Sequence, residues 1–417
     1  MRRIRVVGSV RRGAGTVVKP AVVPAHDRGV LDGVLQLTDV SRKGVPPEQV
    51  HDFMNPVHAG SGSTIDADTW YERLNRLAGD LYPGRYTRDE VRGLCAMASE
   101  VRALARAKRS LIIAHNYVYP ELQEVADAVG DSLGLSQYVA RQRPRRVDFC
   151  GVWFMGETAK IIVGKRCRVY MPDVPGCSLV DSIDGTRVSR WIAAHPRGIV
   201  ISYVNSDAAI KAMSDYVCTS GNAARVLLHA SRTGRGRPIL FLPDKHLGGV
   251  AVAQARLAPG LVDLYDGSCH VHAAIDANIV EAAIDRHPDA ECLVHPECAC
   301  AEACLSGGIG SAGTFTGMHP LSSEQMLHRA RCSPAREFVV ATEKGMVYRL
   351  RKEVPHKEFH PVSNSAVCEY MKMNTLEKLL SSLQHDRVEV HVHSRVRKQA
   401  RRPIRRMLAI HGAPDTG

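Results

Sequence analysis

The stretch LIIAHNY, Leu111–Tyr117, is an apolar, β-branched run that ends abruptly in polar residues. Its length and composition predict a buried strand that delivers hydrogen-bonding side chains at its carboxyl end. Two later stretches share this design: IVISYVNS carries Tyr203 in the place of His115, 88 residues later, and ECLVHPE carries His295 another 92 residues on. The chain therefore repeats a strand with chemistry at its end.

Two further sets of residues recur with nearly the same period. The serines are 88 and 91 residues apart and are Ser132, Ser220 and Ser311. The cysteines are 92 and 99 residues apart and are Cys177, Cys269 and Cys368. A period near 90 residues suits a small α/β domain and is too long for one solenoid repeat. We therefore predict three similar small α/β/α domains with parallel sheets, arranged about a pseudo-threefold axis.

The predicted repeats cover residues 86–176, 177–268 and 269–368, and residues 369–417 are expected to pack back on the first repeat. Residues 1–85 resemble nothing else in the chain and are predicted to be an N-terminal extension of uncertain order, with one helix near Trp70 to Ala78.

Within the first repeat, apolar spacing predicts a helix from Thr87 to Lys108. After the first strand, Pro120 is predicted to start a helix that Gly130 ends, and Ser132 to cap the next one. Strand and helix signals alternate from there, which is typical of a largely parallel sheet. Ligands of such sheets bind beyond the carboxyl ends of the strands, where all the repeated polar residues lie.

Composition narrows the possible cellular compartment and partners of the protein. No apolar run approaches the roughly 18 residues that a membrane-spanning helix needs, so we expect no membrane partner. Twelve cysteines without a secretory signal favour a reducing compartment, which predicts a cytoplasmic protein. The net charge of +12 is concentrated at the two ends of the chain, as in solvated arms. Because aromatic content is only 5% and no basic stretch is interleaved with aromatics, we expect no nucleic-acid partner.

The cysteines allow two rival metal sites. HPECACAEAC holds a local cluster, Cys298, Cys300 and Cys304, whose spacing matches neither the usual zinc pairs nor the ferredoxin runs. The dispersed set of one cysteine per repeat would instead bring three thiolates together at a threefold axis. Three thiolates suit three corners of a [4Fe-4S] cluster, which leaves the fourth iron open as a Lewis acid. Spacing alone leaves both groupings possible.

The remaining repeated residues suit acid/base chemistry on small anions. Several proton carriers would converge at the strand ends: His115, Tyr117, Tyr203, His272, His295 and Glu297. Ser132 and Ser220 fall where helix N-termini can hold phosphate or carboxylate groups.

At this point the motifs resemble those of a known family, the quinolinate synthases. The resemblance covers residues from about 109 to about 405, in the family's order. The motifs that carry it are AHNYVYPELQEVADAVGDSLGLS, CGVWFMGETAKII, MPDVPGCSLVDS, YVNSDAAIKAMSDYVCTSGNA, FLPDKHLGG, CHVH, HPEC, ATEKGMVYRLRKEVPHKEFHP and CEYMKMNTLEKLL.

The resemblance implies an activity and a cofactor. Quinolinate synthases condense iminosuccinate with dihydroxyacetone phosphate, with loss of phosphate and two waters, in NAD biosynthesis. Because one substrate is iminosuccinate, the resemblance also implies a functional link to an aspartate-oxidising enzyme that supplies it. Their [4Fe-4S] cluster has three cysteine ligands and one open iron, and the matching residues are Cys177, Cys269 and Cys368.

The resemblance also implies site residues. Proton transfer would fall to Tyr117 and Glu297, with His115 and His295 assisting. Substrate contacts would come from His115, Ser132, Tyr203, Val204, Asn205, Ser220, His272, His295, Pro296, Glu297, Ser311 and Thr314. The chain departs from the family where it has GSAGTFTGM, so either Thr314 or Thr316 could replace the family's threonine.

Two functions of other classes fit parts of the sequence. An iron-sulfur redox sensor would bind nucleic acid through the basic ends, but no helix-turn-helix or zinc-finger pattern is evident. A zinc hydrolase would be built on Cys298, Cys300, Cys304 and a histidine.

Overall fold

Three parallel sheets form the framework of the protein. The computed structural model describes residues 66–305 and 317–410. The strands in these ranges are β1 (Ser110–His115), β2 (Ala128–Gly130), β3 (Arg146–Cys150), β4 (Arg168–Tyr170), β5 (Ile199–Tyr203), β6 (Tyr216–Cys218), β7 (Ile239–Leu242), β8 (Val262–Leu264), β9 (Glu291–Val294), β10 (Met318–Pro320), β11 (Glu337–Ala341) and β12 (Glu358–Pro361).

Helices flank these sheets on their faces and at their ends. They are α1 (Ala67–Ala78), α2 (Arg88–Lys108), α3 (Pro120–Val125), α4 (Ser132–Gln142), α5 (Trp153–Val163), α6 (Ser178–Asp181), α7 (Gly185–Ala194), α8 (Ala208–Met213), α9 (Ala223–Gly234), α10 (Lys245–Gln254), α11 (His270–Ala273), α12 (Ala277–Arg286), α13 (Ala301–Leu305), α14 (Ser323–Cys332), α15 (Gly345–Glu353), α16 (Glu369–Lys372), α17 (Leu376–His385) and α18 (Ser394–Ala409).

The three sheets share one strand order. They read β2-β1-β3-β4, β6-β5-β7-β8 and β10-β9-β11-β12, and every pairing between these strands is parallel. The first strand of each repeat therefore lies between the second and third, so its carboxyl end sits beside the point where the strand order reverses. The prediction of three similar α/β/α domains is confirmed.

Two predicted helices are confirmed at the start of the described chain. Asp66 caps α1 by accepting a hydrogen bond from the Thr69 N–H, and Thr87 caps α2 in the same way. Trp70 and Leu74 of α1 are buried. The ordered body therefore begins before residue 86, whereas the earlier part of the predicted extension lies outside the described residues.

The segment after β1 differs from its prediction. The helix that starts at Pro120 ends at Val125, and the residues expected to continue it form the edge strand β2. Asp127 explains the early end. Its backbone N–H donates to Ile112 O, and its carboxylate accepts from the Ile112 N–H at 2.8 Å, which draws the chain onto the edge of β1. These two hydrogen bonds to a buried strand therefore outweigh the tendency of the segment to continue as a helix.

The cap of α4 also differs from its prediction. Asp131, not Ser132, is the capping residue, because its carboxylate accepts from the Gly134 N–H at 2.8 Å. Ser132 is the first residue of the helix, where its own N–H is free to face a ligand.

The last two helices pack on different repeats. α17 contacts α2 and β3 of the first repeat, whereas α18 lies against α8 and β6 of the second and against α5. The buried face of α18 includes Ala400, Ile404 and Met407. The contact with the second repeat was not predicted, because nothing in an Arg-rich amphipathic helix specifies its partner. No helix in the described ranges has both the length and the apolar character needed to span a membrane.

Candidate active site and metal centre

The carboxyl ends of strands from all three sheets border one pocket. It contains about 710 Å³ of empty space, including its open mouth. The predicted site residues that line it are His115, Tyr117, Ser132, Cys177, Tyr203, Val204, Asn205, Ser220, Cys269, His272, His295, Glu297 and Cys368. Pro296 is described but does not line this pocket, and Ser311 and Thr314 lie outside the described residues.

Glu297 is the buried anion of this pocket. The Tyr203 hydroxyl donates a hydrogen bond to its Oε1 atom, and His272 Nδ1 lies 3.2 Å from its Oε2 atom. Burial alone would raise the pKa of Glu297, but His272 and the Tyr203 hydroxyl, which face the carboxylate, hold its pKa below the ordinary value. Glu297 is therefore ionised at neutral pH. The approach of His272 Nδ1 is too bent for a well-formed hydrogen bond, and that atom has no other partner among the described residues.

His115 and His295 share one tautomer. In each, Nδ1 accepts the backbone N–H of the residue two positions later: Tyr117 at 3.2 Å and Glu297 at 3.4 Å. Because a backbone N–H only donates, Nδ1 carries no proton and the proton of the neutral ring lies on Nε2. Burial is the main cause that lowers the pKa of both rings to about 3. Both histidines are therefore neutral at physiological pH and offer an Nε2–H.

A chain of polar contacts crosses the pocket between two tyrosines. The Tyr117 hydroxyl lies 2.6 Å from Thr342 Oγ1, which in turn lies 2.8 Å from His272 Nε2. From His272 the chain continues to Glu297 and then to Tyr203. Burial raises the pKa of both tyrosines well above 10, so both keep their protons. The part of this chain from Tyr117 through Thr342 to His272 can carry a proton without bulk water.

The three dispersed cysteines occupy equivalent places. Cys177, Cys269 and Cys368 each precede a four-residue helix, namely α6, α11 and α16, and all three line the pocket. None forms a disulfide. One cysteine follows the last strand of each sheet, and all three cysteines line the same cavity.

The residues that follow these cysteines join the three repeats directly. They are Ser178, His270 and Glu369, and the His270 ring contacts both of the others: Nδ1 lies 2.7 Å from Ser178 Oγ and Nε2 lies 3.0 Å from Glu369 Oε2. The three cysteines must therefore lie around a common centre.

The cysteine trio suits an iron-sulfur cluster. Burial raises the pKa of Cys177 to about 12 and that of Cys368 to about 11. Three partly buried thiolates are therefore unfavourable without a cationic centre, which an iron-sulfur cluster supplies. In a cubane cluster each thiolate binds a different iron, which fits three cysteines from three separate loops. The same pocket also brings ligand atoms of Cys269, His272 and Glu297 within 4.8 Å of one another, so a single ion is a competitor.

Comparison with known proteins decides the family. The family model described as "Quinolinate synthetase A protein" matches residues 99–409 of the chain. The chain belongs to the quinolinate synthase family. The quinolinate synthase of Thermus thermophilus is 46% identical over 316 residues, which cover 76% of this chain and 97% of that protein. That of Pyrobaculum aerophilum is 43% identical over 75% of this chain and 98% of its own length. That of Mycolicibacterium paratuberculosis is 41% identical over 84% and 99%.

The local cysteines of this quinolinate synthase family member lie elsewhere. Cys298 and Cys300 are buried in the apolar core of the third repeat, with Cys304 packed against them. The Cys298 thiol donates to Ala341 O, and none of the three residues lines the pocket. Within the described ranges their sulfur atoms do not belong to any group close enough to bind one ion. The three cysteines that are close together in the sequence therefore lack the geometry of a metal site.

Two buried carboxylates that the sequence analysis missed support the cysteine loops. Asp244 Oδ2 accepts the Cys269 N–H at 3.3 Å, and Glu343 Oε1 accepts the Cys368 N–H at 3.5 Å. Each carboxylate precedes its cysteine by 25 residues. The same repeat spacing that identified the cysteines could have identified these residues. The first repeat has Val152 at this place, and it also lines the pocket.

Thr342, Ser323 and Asp131 are further polar residues of the site that the sequence did not single out. Ser323 is the first residue of α14 and lies 3.2 Å from the Tyr117 hydroxyl. It occupies in the third repeat the place that Ser132 occupies in the first, after the second strand of the sheet. Because Ser311 was assigned to this place by spacing alone, a longer connection in the third repeat concealed the equivalent residue.

Proposed function

We propose that the protein condenses iminosuccinate with dihydroxyacetone phosphate to give quinolinate, inorganic phosphate and two molecules of water. The atoms of this reaction balance without an oxidant or reductant. Family membership and the ionisable side chains that line the pocket support the proposal, and NAD biosynthesis is the pathway it serves. The iminosuccinate would come from an enzyme that oxidises aspartate.

In this proposal the cofactor is a [4Fe-4S] cluster held by Cys177, Cys269 and Cys368. When bound, the cluster would supply Lewis-acid chemistry through its open iron, which would favour loss of water from the substrate. The contact of Ser178 and Glu369 with the His270 ring holds the three cysteine loops together.

Substrate anions bind at the helix starts that border the pocket. Ser132 is the first residue of α4, and Ser220 precedes α9, so both face groups that N-terminal N–H donors attract. Burial, followed by the charge of Glu324, raises the pKa of the adjacent Asp131 to about 7. This carboxyl is therefore largely protonated below neutral pH and repels an anion less. Further contacts are assigned to Val204, Asn205, Pro296, Ser311 and Thr314.

Proton transfer follows from the charge states of the pocket. Tyr117 keeps its proton and donates it to a developing oxyanion, and the contacts through Thr342 and His272 return a proton from the Glu297 side. His115 and His295 are neutral at physiological pH, so their Nε2–H groups orient substrate oxygens. Glu297 is ionised before the condensation, and its carboxylate accepts the proton that the condensation releases.

One observation carries this proposal. The three cysteines that follow the three sheets converge on the pocket that contains Glu297. The test is quinolinate formation by anaerobically purified, cluster-reconstituted protein given dihydroxyacetone phosphate and freshly generated iminosuccinate. The matched control is Cys368→Ser. We expect quinolinate from the wild type and none from the variant. Wild-type protein that contains iron and sulfide but forms no quinolinate would refute the assignment.

A further inference from the structure

A second group of metal-ligand side chains lies at the opposite edge of the third sheet. His287 ends helix α12, Glu337 is the first residue of β11, and His360 is the third residue of β12. His287 precedes β9 and Glu337 begins β11, so both lie at the amino ends of the strands, and His360 lies level with Val339 in the middle of β11. The pocket, in contrast, borders the carboxyl ends. Nothing in the proposed reaction uses them.

The strand register explains why these side chains meet. Glu337 pairs with Glu358 and Val339 pairs with His360, so all four side chains point to the same face of the sheet. Val339 is buried in the apolar core that includes residues of α12. Because α12 covers this face, the histidine at its end is placed over the edge where the other two ligands emerge.

The distances between the three groups are those of a ligand set. Glu337 Oε1 lies 2.7 Å from His287 Nδ1 and 3.0 Å from His360 Nε2. The two imidazole rings are stacked, with centroids 3.8 Å apart and planes 18° apart. One ligand atom from each residue lies within 4.8 Å of the others.

One atom of this group has no hydrogen bond. His360 Nε2 is buried, and its 3.0 Å contact with Glu337 Oε1 lacks the direction of a hydrogen bond. Among the described residues no other group satisfies it. A buried polar atom without a partner calls for a specific explanation, and an ion that the nitrogen binds is one.

We propose that His287, Glu337 and His360 form a second metal site, which binds one divalent transition ion of the zinc type. Two imidazole nitrogens and one carboxylate oxygen are preferred donors for Zn²⁺, and a water molecule completes the tetrahedron. Glu358 Oε2, 3.9 Å from His360 Nε2, is the nearest additional carboxylate that the structure gives to this group. On binding, the ion replaces the proton that lies between His287 Nδ1 and Glu337.

A metal ion at this site would cross-link elements of the third repeat. It links the end of α12 to β11 and β12, and α12 follows α11, the short helix that Cys269 precedes. A bound ion would stabilise the folded repeat because the unfolded chain does not preassemble the ligands.

The test uses protein that already contains its iron-sulfur cluster, so that the pocket cysteines are occupied. Wild type, Glu337→Gln and His287→Gln are dialysed against zinc under anaerobic conditions, and bound zinc is counted per chain. His195→Gln is the matched control, since His195 ends α7 at the corresponding place of the second repeat but stacks on Trp191 instead. X-ray absorption at the zinc edge identifies the ligand atoms.

We expect one zinc ion per chain in the wild type and in His195→Gln, with nitrogen and oxygen neighbours at about 2.0–2.1 Å. Glu337→Gln and His287→Gln should bind zinc at least roughly 100-fold more weakly, because even the loss of a hydrogen-bonding partner of a ligand costs 10–100-fold. Zinc should raise the melting temperature only in the first two proteins. Equal binding by all four proteins, or sulfur neighbours at about 2.3 Å, would overturn the proposal. If either variant fails to fold, His360→Gln replaces it.

Discussion

The two cysteine groups of this chain show how differently sequence distance and spatial distance behave. Cys298, Cys300 and Cys304 are close in the chain, yet they pack in the core of one repeat and none reaches the pocket. Cys177, Cys269 and Cys368 are about 90 residues apart, yet their following residues touch. In a protein built from repeats, the residue at the same place of each copy is the meaningful neighbour. The dispersed group is therefore the candidate cofactor site.

The largest effect should come from the carboxylate of the pocket. In Glu297→Gln the charge is removed while the shape is kept, so proton transfer fails and kcat for quinolinate formation should fall by roughly 10²–10⁴-fold. Iron and sulfide content should stay at the wild-type level. The matched control is Glu302→Gln, an exposed carboxylate beside the local cysteines, which should keep full activity. Equal activity of the two variants would remove Glu297 from the mechanism.

The next effect concerns the carboxylates that hold the cysteine loops. Asp244→Ala removes the acceptor of both the Cys269 and the Leu247 backbone N–H groups. The loop should then hold the cluster less firmly, and a chelator should strip iron about 10–100-fold faster. Asp244→Asn keeps one acceptor oxygen and should restore most of the retention. Stripping rates that are unchanged in Asp244→Ala would show that the loop needs no such support.

Acid should destabilise the pocket more than the core around the local cysteines. Burial lowers the pKa of His115 and His295 from an ordinary 6.5 to about 3, so below pH 6.5 the unfolded chain binds protons that the folded chain does not. Their contribution to stability is complete above pH 6.5 and is lost as the pH falls toward 3. The raised pKa of Asp131 acts in the opposite direction, which makes a variant necessary.

The measurement is urea unfolding of cluster-free protein at pH 7.5 and pH 5.5. Between these values His295→Gln should lose about 1 kcal/mol less stability than the wild type, since each pKa unit corresponds to about 1.4 kcal/mol. An identical pH dependence in both proteins would mean that His295 is not held neutral by burial.

The smallest effect should come from the local cysteines. Cys300→Ala leaves a small cavity in the core of the third repeat, so the free energy of unfolding should fall by about 1 kcal/mol. Cluster content and quinolinate formation should not change. Cys332→Ala is the control, because Cys332 is exposed and its loss should cost nothing measurable. A loss of iron in Cys300→Ala would reopen the local group as a ligand set.

The sequence predicted the features that repeat. His115, Tyr203 and His295 end the first strand of their repeats or directly follow it, and this regularity was sufficient for the three-sheet fold and the cysteine trio. Asp244 and Glu343 share a 25-residue spacing to their cysteines, but Val152 holds this place in the first repeat, so the carboxylate does not recur in all three.

Other features depend on contacts that spacing does not encode. Thr342 joins Tyr117 to His272 because side chains of different repeats face one another across the pocket. Asp127 ended a predicted helix through a bond with the neighbouring strand. Propensity and period describe one element at a time, so such pairings appear only when the elements are assembled.

The most direct test of which cysteines hold the cluster measures iron and acid-labile sulfide in six single variants. Each variant has one cysteine, from one of the two groups, changed to serine. All six proteins are reconstituted anaerobically side by side, with quinolinate formation as the second readout. We expect Cys177→Ser, Cys269→Ser and Cys368→Ser to lose the cluster and the activity, whereas Cys298→Ser, Cys300→Ser and Cys304→Ser should keep both. The assignment of the cluster ligands would be wrong if any of the first three variants kept a full cluster, or if any of the second three lost it.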